Sequence, residues 1–460
     1  MHYARGVETQ HDVVRSRELP PAMHPALTAY HWLRRPLEYW DQQHARYGDV
    51  FAMRLPALPL MAVFCNPSDV KEIFTDDGTT LAAGKFNKSL SAFLGENSVL
   101  MLDGREHLRH RRLLLPPFHG ERMHAYAREM IELTNAAISR WPVGTPFAIH
   151  SEMQSVTLRV IVRTIFGVDD GPRFEHLVSL LTELTDLASW PPLLLPFMQI
   201  DLGPWSPWGR FKRKGNAVDA ALRDEIQRRR SQGTTGRVDI LSLLVDARDE
   251  SGAPMTDDEL VDELGTLLVA GHETTATSLA WAFRWVLDSP AVLARLQTEI
   301  AEACESGRPV AEKVAALPYL DAVVREALRL SPVIPLVGRI LEKPTRVAGY
   351  DLPAGSAVLC SIYLAQRRES VFPHASRFDP DRFLGTKFSP YEFFPFGGGV
   401  RRCIGMAFAL YEMKMVLATV IARCTLRPAS GRPIRVVRRA ITLTPSDGMP
   451  VVMTDRRALG

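Results

Sequence analysis

Phe396-Gly-Gly-Gly-Val-Arg-Arg-Cys-Ile-Gly405 is the stretch that decides how this chain is read. Cys403 stands alone among Gly397, Gly398, Gly399 and Gly405, with Arg401 and Arg402 beside it. Glycines let a backbone turn tightly and approach a flat ligand. Consecutive N–H groups in such a turn can point at one anion, and neighbouring arginines favour a thiolate over a thiol. Met406 to Ile421 is rich in helix formers, so Cys403 sits at a helix N-terminus, whose partial positive charge favours the anionic sulfur further. The pattern describes one thiolate in a hydrogen-bonding loop with an open face, which suits axial ligation of a haem iron. The competing reading is a buried structural cysteine beside a glycine loop.

A second stretch lies upstream. Thr256-Asp-Asp-Glu259 is a capping box. It opens a pattern that runs to Pro290, about 30 residues and roughly 45 Å of helix. The middle is apolar on most sides, so the helix is expected to be buried through the centre of the domain. Inside it is Ala270-Gly-His-Glu-Thr-Thr275. A glycine and two threonines weaken a helix interior, which points to a compensating role. Ala270 and Thr274 share a face one turn apart. The small side chain leaves room for a flat ring and a diatomic ligand, and Thr274 offers a hydroxyl. Glu273 can relay a proton from solvent, and Gly271 permits local loosening that admits water. Elsewhere, His107 and Arg111 stand four apart in the basic segment Asp103–Phe118, two donors on one face that suit a pair of carboxylates. Glu326 and Arg329 share another helix face, three apart.

These stretches resemble the signatures of cytochrome P450. Phe396, Gly399, Arg401, Cys403 and Gly405 meet every fixed position of its haem-binding motif, and Ala270 to Thr275 meets its oxygen-activation motif. The resemblance covers about Leu37 to Thr454, with the motifs in family order. It implies a mainly α fold with small β-sheets, a long central helix over the haem and a cysteine loop beneath it. It implies haem b, Cys403 as proximal iron ligand, and Phe396 against the sulfur. His107, Arg111, Arg339 and Arg401 fall at haem propionate positions, and Ala270 and Gly405 lie beside the ring. Thr274 supports O–O scission and Glu273 belongs to the proton path. Glu326, Arg329 and Arg382 of Pro380-Asp-Arg-Phe383 form a structural network. Asp381 stands where Glu is frequent in the family and Gln366 where His is frequent; neither touches that chemistry. The substrate pocket is expected at Phe86, Phe93, Leu267, Ala270, Ile334 and Leu336, all apolar, hence a lipophilic ligand.

Composition bounds the rest. The 46% hydrophobic and 23% charged content is that of an ordinary soluble globular protein. A net charge of +3 is too small to argue for nucleic acid. The five scattered cysteines fit a reducing compartment. No signal peptide, membrane anchor or apolar run of about 18 residues is found, so a cytoplasmic monomer of the soluble bacterial type is expected. No linker or repeat divides the chain. Residues 1–36 read as an N-terminal extension, partly mobile, and 37–460 as a single catalytic domain. Val50–Leu55 and Leu60–Phe64 read as a hairpin, Ser68 as the N-cap of the next helix, and Lys85–Leu102 as a glycine-punctuated loop. Trp190–Trp208, with five prolines and three tryptophans, cannot form one regular helix and reads as an apolar surface loop. Two late strands are expected near Ile434–Leu443 and Pro450–Met453, around Asp447-Gly448.

No flavin- or nicotinamide-binding glycine motif follows the last strand. Electrons from NAD(P)H are therefore expected through separate partners, a ferredoxin or flavodoxin and a reductase, docking on Arg109, Arg112, Arg402 and Lys414. The sequence points first to a haem-thiolate monooxygenase. A peroxide-driven peroxygenase and a haem-thiolate sensor without turnover are the alternatives.

Overall fold

Thr256 and Glu259 close both bonds of a capping box, Glu259 N–H donating to the threonine hydroxyl at 3.2 Å and Thr256 N–H to the Glu259 carboxylate at 2.8 Å. From this start the central helix runs unbroken from Asp257 to Leu287, 31 residues. In the computed structural model, residues 19–457 are described apart from 56, 57, 77, 119–121, 169, 170, 191, 192, 194–198, 204, 430–432 and 440. Around the central helix pack the helices Ile149–Phe166, Pro207–Gln232, Pro318–Leu330 and Met406–Arg423. The fold is mainly α, and its sheets are small.

Two hydrophobic clusters fill the interior. The larger is built on the helices and includes Ile161, Leu264, Leu279, Phe283, Val416 and Leu417. The smaller is built on a five-stranded sheet ordered Val50–Met53, Met61–Phe64, Ala357–Ser361, Leu336–Leu341, Leu81–Ala82. Met61–Phe64 runs parallel to Ala357–Ser361, and the other pairings are antiparallel. The cysteine segment lies on the seam: Phe394 belongs to the sheet cluster, while Phe396 and Ile404 pack against the helical one.

Several expectations need correction. Asn66, not Ser68, caps the helix Pro67–Phe74, accepting from Ser68 N–H at 3.0 Å, because proline at the first helical position leaves the preceding residue as the cap. Lys85–Leu102 is not one loop. It contains short helices at Ala83–Asn87 and Ser91–Leu94 and is pinned by Asp103, which accepts from Gly84 N–H at 2.9 Å, and by Asp262, which accepts from Asn97 N–H at 2.9 Å. The late strands pair differently as well. Val436–Arg439 forms a hairpin with Thr442–Pro445, while Pro450–Arg456 pairs with Cys424–Pro428 and Pro146–Ala148. Within the stretch read as an extension, Pro25–Arg34 is helical; residues 1–18 lie outside the described set, as do parts of the 190–208 segment and the first hairpin's turn at 56 and 57. The described ends of that segment carry exposed Trp190, Leu202 and Trp205, the last 92% exposed, whereas Trp208 is buried at the head of the next helix.

The helix Pro318–Leu330 carries a buried polar network. Arg329 bonds both carboxylate oxygens of Glu326, Nε at 2.7 Å and Nη2 at 2.8 Å, and Nη1 reaches the carbonyls of Gln366 and Ala375, each at 2.8 Å. Arg382 Nε and Asp379 N–H add bonds to Glu326 at 3.0 and 2.9 Å. Gln366 extends the network toward the cysteine segment. Its amide donates to the Leu328 and Arg329 carbonyls, and its carbonyl accepts from Phe394 N–H at 3.1 Å. Both ions of the Glu326–Arg329 pair are fully buried, so removing Arg329 leaves a buried carboxylate with Arg382 as its remaining ionic partner and strands the Gln366 and Ala375 carbonyls. Arg329→Ala should lower unfolding stability by about 3–5 kcal/mol in urea titrations; a loss under about 1 kcal/mol would show that the network is not structural.

Candidate haem-thiolate site

The cysteine loop is shaped by glycine where its neighbours leave no room. A Cβ on Gly398 would lie 2.1 Å from the Phe74 ring, and one on Gly399, at φ +64°, would lie 2.1 Å from the Phe74 carbonyl oxygen. The glycines expected to admit a flat ligand therefore also admit Phe74. Gly405 differs, since a Cβ there would meet nothing within 4 Å. Backbone bonds close the loop: Cys403 N–H donates to the Phe396 carbonyl at 3.0 Å and Arg402 N–H to the Gly399 carbonyl at 3.2 Å. Arg401 ties it down, donating to the Val99 carbonyl at 3.1 Å, to the Leu102 carbonyl and to Asp103.

Cys403 is exposed, yet it lies deep enough that burial pushes its thiol pKa up. That combination belongs to a side chain on the wall of an internal space. A hydrogen bond with the Gly405 backbone and the charge of Arg111 pull the other way. The arginines adjacent in sequence are thus not what favours the anion: Arg401 is spent on the 99–103 segment and Arg402 is exposed. Across the domain Ala270 is also exposed, in mid-helix, while Leu268, His272 and Ala276 on the other faces are buried. The central helix therefore borders an interior opening at the turn Ala270–Thr274.

The cations converge as well. His107 is buried, and its pKa is pushed down to about 3, first by burial and then by the charges of Arg401, Arg111 and Arg339. Burial pushes Arg401 down to about 10, with Arg339 and Arg111 adding repulsion. Arg339 donates to the Gly338 carbonyl at 2.8 Å. These four come from the helix Gly104–Leu114, the strand Leu336–Leu341 and the cysteine loop. Such mutual repulsion in a desolvated place is relieved by an anionic ligand, and guanidinium groups pair well with carboxylates. An exposed interior sulfur, an exposed alanine on the central helix, a seam between two clusters and a set of repelling donors together fit a flat dicarboxylate such as haem b.

The remaining residues fall as follows. The Thr274 hydroxyl donates to the Ala270 carbonyl at 2.6 Å. Glu273 does not face open solvent: its side chain is 17% exposed and accepts from Gln154 Nε2 at 2.6 Å, with Arg439 Nε at 3.7 Å and His150 Nε2 at 3.9 Å. Burial raises its pKa, with the Arg439 charge and the Gln154 bond opposing. Gly271 marks a packing contact rather than a loosened turn, since a Cβ there would press on Ile161 at 3.3 Å. Phe93 packs against Trp208 and Phe211 at 5.9 and 4.7 Å, whereas the Phe86 ring lies over Gly338. Leu267, Ile334 and Leu336 are half-buried. Of the expected docking cations, Arg109 is bonded to Asp249 and Glu259, Arg112 pairs with Glu250, and Lys414 is mostly buried against the Ala315 carbonyl. Only Arg402 of those four is left exposed with no ion pair among the described residues.

Three features escaped the sequence. Gln366 joins the anchor helix to the cysteine segment, although its chemistry looked unimportant. Buried His110 bridges Glu263 at 2.7 Å and Glu259 at 3.2 Å, partners some 150 positions away. Glu412, on the helix after Cys403, is buried against Thr275 and its pKa is raised well above the carboxylate range by burial. Among the described residues one group, His44, Asp49 and Cys65, could hold a metal ion. Arg368 and Asn66 already bond Asp49, and burial raises the Cys65 thiol pKa, so the group is a satisfied structural cluster.

The chain belongs to the cytochrome P450 family, whose model matches residues 19–450. It is a P450 monooxygenase, and the family implies a haem cofactor. Two relatives are named cytochrome P450 135B1, from Mycobacterium bovis, and cytochrome P450 135A1, from Mycobacterium tuberculosis. The first is 36% identical, covering 94% of this chain and 91% of the relative; the second is 35% identical, covering 96% of each. The fold is shared with retinoic acid bound cyanobacterial CYP120A1, at TM-score 0.83, 24% identity and coverage of 95% and 99%. It is also shared with the cytochrome P450DA heme domain, at TM-score 0.84, 23% identity and coverage of 96% and 99%. No helix among the described residues is long and apolar enough to cross a membrane.

Glu412 yields a pH test. Above the ordinary carboxylate range the unfolded chain ionises this group while the fold holds it protonated, so stability falls as pH rises. Glu412→Gln removes that titration. Its stability relative to the native protein should rise with pH in urea titrations from pH 5 to 8; a pH-independent difference would mean that Glu412 ionises normally in the fold.

Proposed function

We propose that this chain inserts one oxygen atom from O2 into a C–H bond or an alkene of a lipophilic small molecule. Its electrons come from NAD(P)H through a separate reductase and a ferredoxin or flavodoxin, whose acidic face meets Arg402. When bound, haem b supplies the activation of O2 at its iron. Cys403 would hold that iron, Phe396 would shield the sulfur, and His107, Arg111, Arg339 and Arg401 would hold the propionates.

The observation that carries the reading is the turn Ala270–Thr274, an exposed alanine and a hydroxyl on one face of a buried helix. While the Thr274 hydroxyl donates to the Ala270 carbonyl, its oxygen can only accept. It can therefore receive a hydrogen bond over Ala270, and must leave that carbonyl to donate, at a net cost of about 1 kcal/mol. Successive side chains on a helix point about 100° apart, and Glu273 is turned toward Gln154. A proton thus travels from Glu273 to Thr274 through water or a change of rotamer. The expected pocket residues Phe86, Phe93, Leu267, Ala270, Ile334 and Leu336 are all apolar, which favours lipophilic molecules such as fatty acids, terpenoids, steroids or polyketides.

A spectral-shift screen of those four classes against purified holoprotein finds the ligand. With a compound so identified and a surrogate ferredoxin and reductase, Thr274→Ala should lower product formed per NAD(P)H by roughly tenfold or more. Its unfolding free energy should stay within about 0.5 kcal/mol of native, because the lost bond only competes with a helical carbonyl. Unchanged coupling would remove Thr274 from the proton path. A screen in which only small polar compounds perturb the haem would overturn the lipophilic reading.

A further inference from the structure

Glu273 sits in a cage whose walls come from four elements. The helix Ile149–Phe166 contributes His150 and Gln154. The central helix contributes Thr277, whose hydroxyl bonds His150 Nε2 at 3.0 Å, and it carries buried His272. The strand Val436–Arg439 contributes Arg439, and the helix Pro172–Ala188 contributes Asp186, followed by Ser189. Burial pushes both His150 and His272 down to about 4, so neither is a cation near neutral pH. Arg439 is the fixed positive charge that faces the acid, and Asp186 is the negative charge that opposes it.

The placement of Arg439 is divided. Its Nε lies 3.7 Å from Glu273 Oε1, which has no hydrogen-bond partner among the described residues. That N–H instead donates to Ser189 Oγ at 2.7 Å, and Nη2 donates to Asp186 Oδ1 at 3.3 Å. Asp186 is largely exposed, and Ser189 adjoins exposed Trp190 at the start of the proline-rich segment. One guanidinium therefore joins a half-buried acid beside the oxygen-side turn to the outer end of a helix that is followed by exposed Trp190. An arginine released from Ser189 has an unsatisfied carboxylate oxygen within a short movement of its side chain.

We propose that Arg439 is a positioning residue for Glu273, sharing its charge between that carboxylate and the Asp186–Ser189 end of the neighbouring helix, so that the protonation of the acid follows the position of that end. This rests on the role of Glu273 proposed above. Displacing the helix end frees Arg439 for Glu273 and favours the ionised acid. A closed end keeps the arginine engaged outside and favours the protonated, proton-donating form.

The test is an infrared pH titration of resting holoprotein, with Glu273→Gln subtracted to assign the carboxyl band. It requires no turnover. An opposite charge at this range lowers a carboxyl pKa by about 1–3 units. Arg439→Gln should therefore raise the Glu273 midpoint by about one unit or more, and Arg439→Lys should restore most of it. Asp186→Asn, a surface change, should lower the midpoint, because it removes a like charge and loosens the outer hold on Arg439. An arginine that merely filled space would give no opposed shifts. A midpoint unmoved in Arg439→Gln, or moved in the same direction by both variants, overturns the proposal, as does an unmoved midpoint in Asp186→Asn. If Arg439→Gln does not fold, Arg439→Lys and Asp186→Asn still decide it. Coupling of NAD(P)H use to product in Glu273→Gln separates the two readings. Intact coupling with opposed shifts sinks the role of Glu273 and leaves the tie standing; lost coupling without shifts does the reverse.

Discussion

Arg401 leaves the cysteine loop to bond Asp103 and the carbonyls of Val99 and Leu102, while Phe74 fills the space that Gly398 and Gly399 leave open. Those contacts set the position of Cys403. A glycine-rich loop has more backbone freedom to lose than any other kind of segment, so a sulfur that must meet one metal needs locks from outside the loop. Three are present. Phe74 comes from the sheet side, Asp103 from the head of the basic helix, and Phe394, held through Gln366, from the Glu326–Arg329–Arg382 network.

The same arrangement makes the site electrostatically incomplete by itself. Burial disfavours the charged forms of His107, Arg111, Arg339 and Arg401 alike; Arg401, Arg111 and Arg339 add repulsion on His107, and Arg339 and Arg111 add it on Arg401. Burial likewise works against the thiolate of Cys403. On the proposed reading, His107, Arg111, Arg339 and Arg401 would be satisfied by the carboxylates of a bound haem, and Cys403 would be held deprotonated by its metal. Since such a ligand binds the fold and not the unfolded chain, its affinity adds directly to stability. The two hydrophobic clusters that meet at the cysteine segment then have a common wall.

The sequence was most legible where one residue type can do one job. Cys403 among its glycines, the Thr256–Glu259 capping box and the paired small and hydroxyl residues Ala270 and Thr274 announce their local geometry. What could not be read were partners far apart in the chain. Nothing near Glu273 in the sequence shows that Gln154, Arg439 and Asp186 close around it. Arg109 and Lys414 looked like free surface charges because their partners are brought in only by folding. Lys85–Leu102 looked like a loop because its helices are short and owe their order to Asp103 and Asp262 rather than to local propensity. Gly271 looked like a weak point, while tertiary contact with Ile161 makes it a close-packing position.

The account depends on Cys403 binding iron as a thiolate, and the absorption spectrum of the reduced holoprotein under carbon monoxide reads that bond most directly. A strongly red-shifted Soret band, lost in Cys403→Ser while haem is retained, is the predicted result. A native spectrum without the shift, or a Cys403→Ser variant that keeps it, would contradict the assignment of the ligand and the reading of the site built around it.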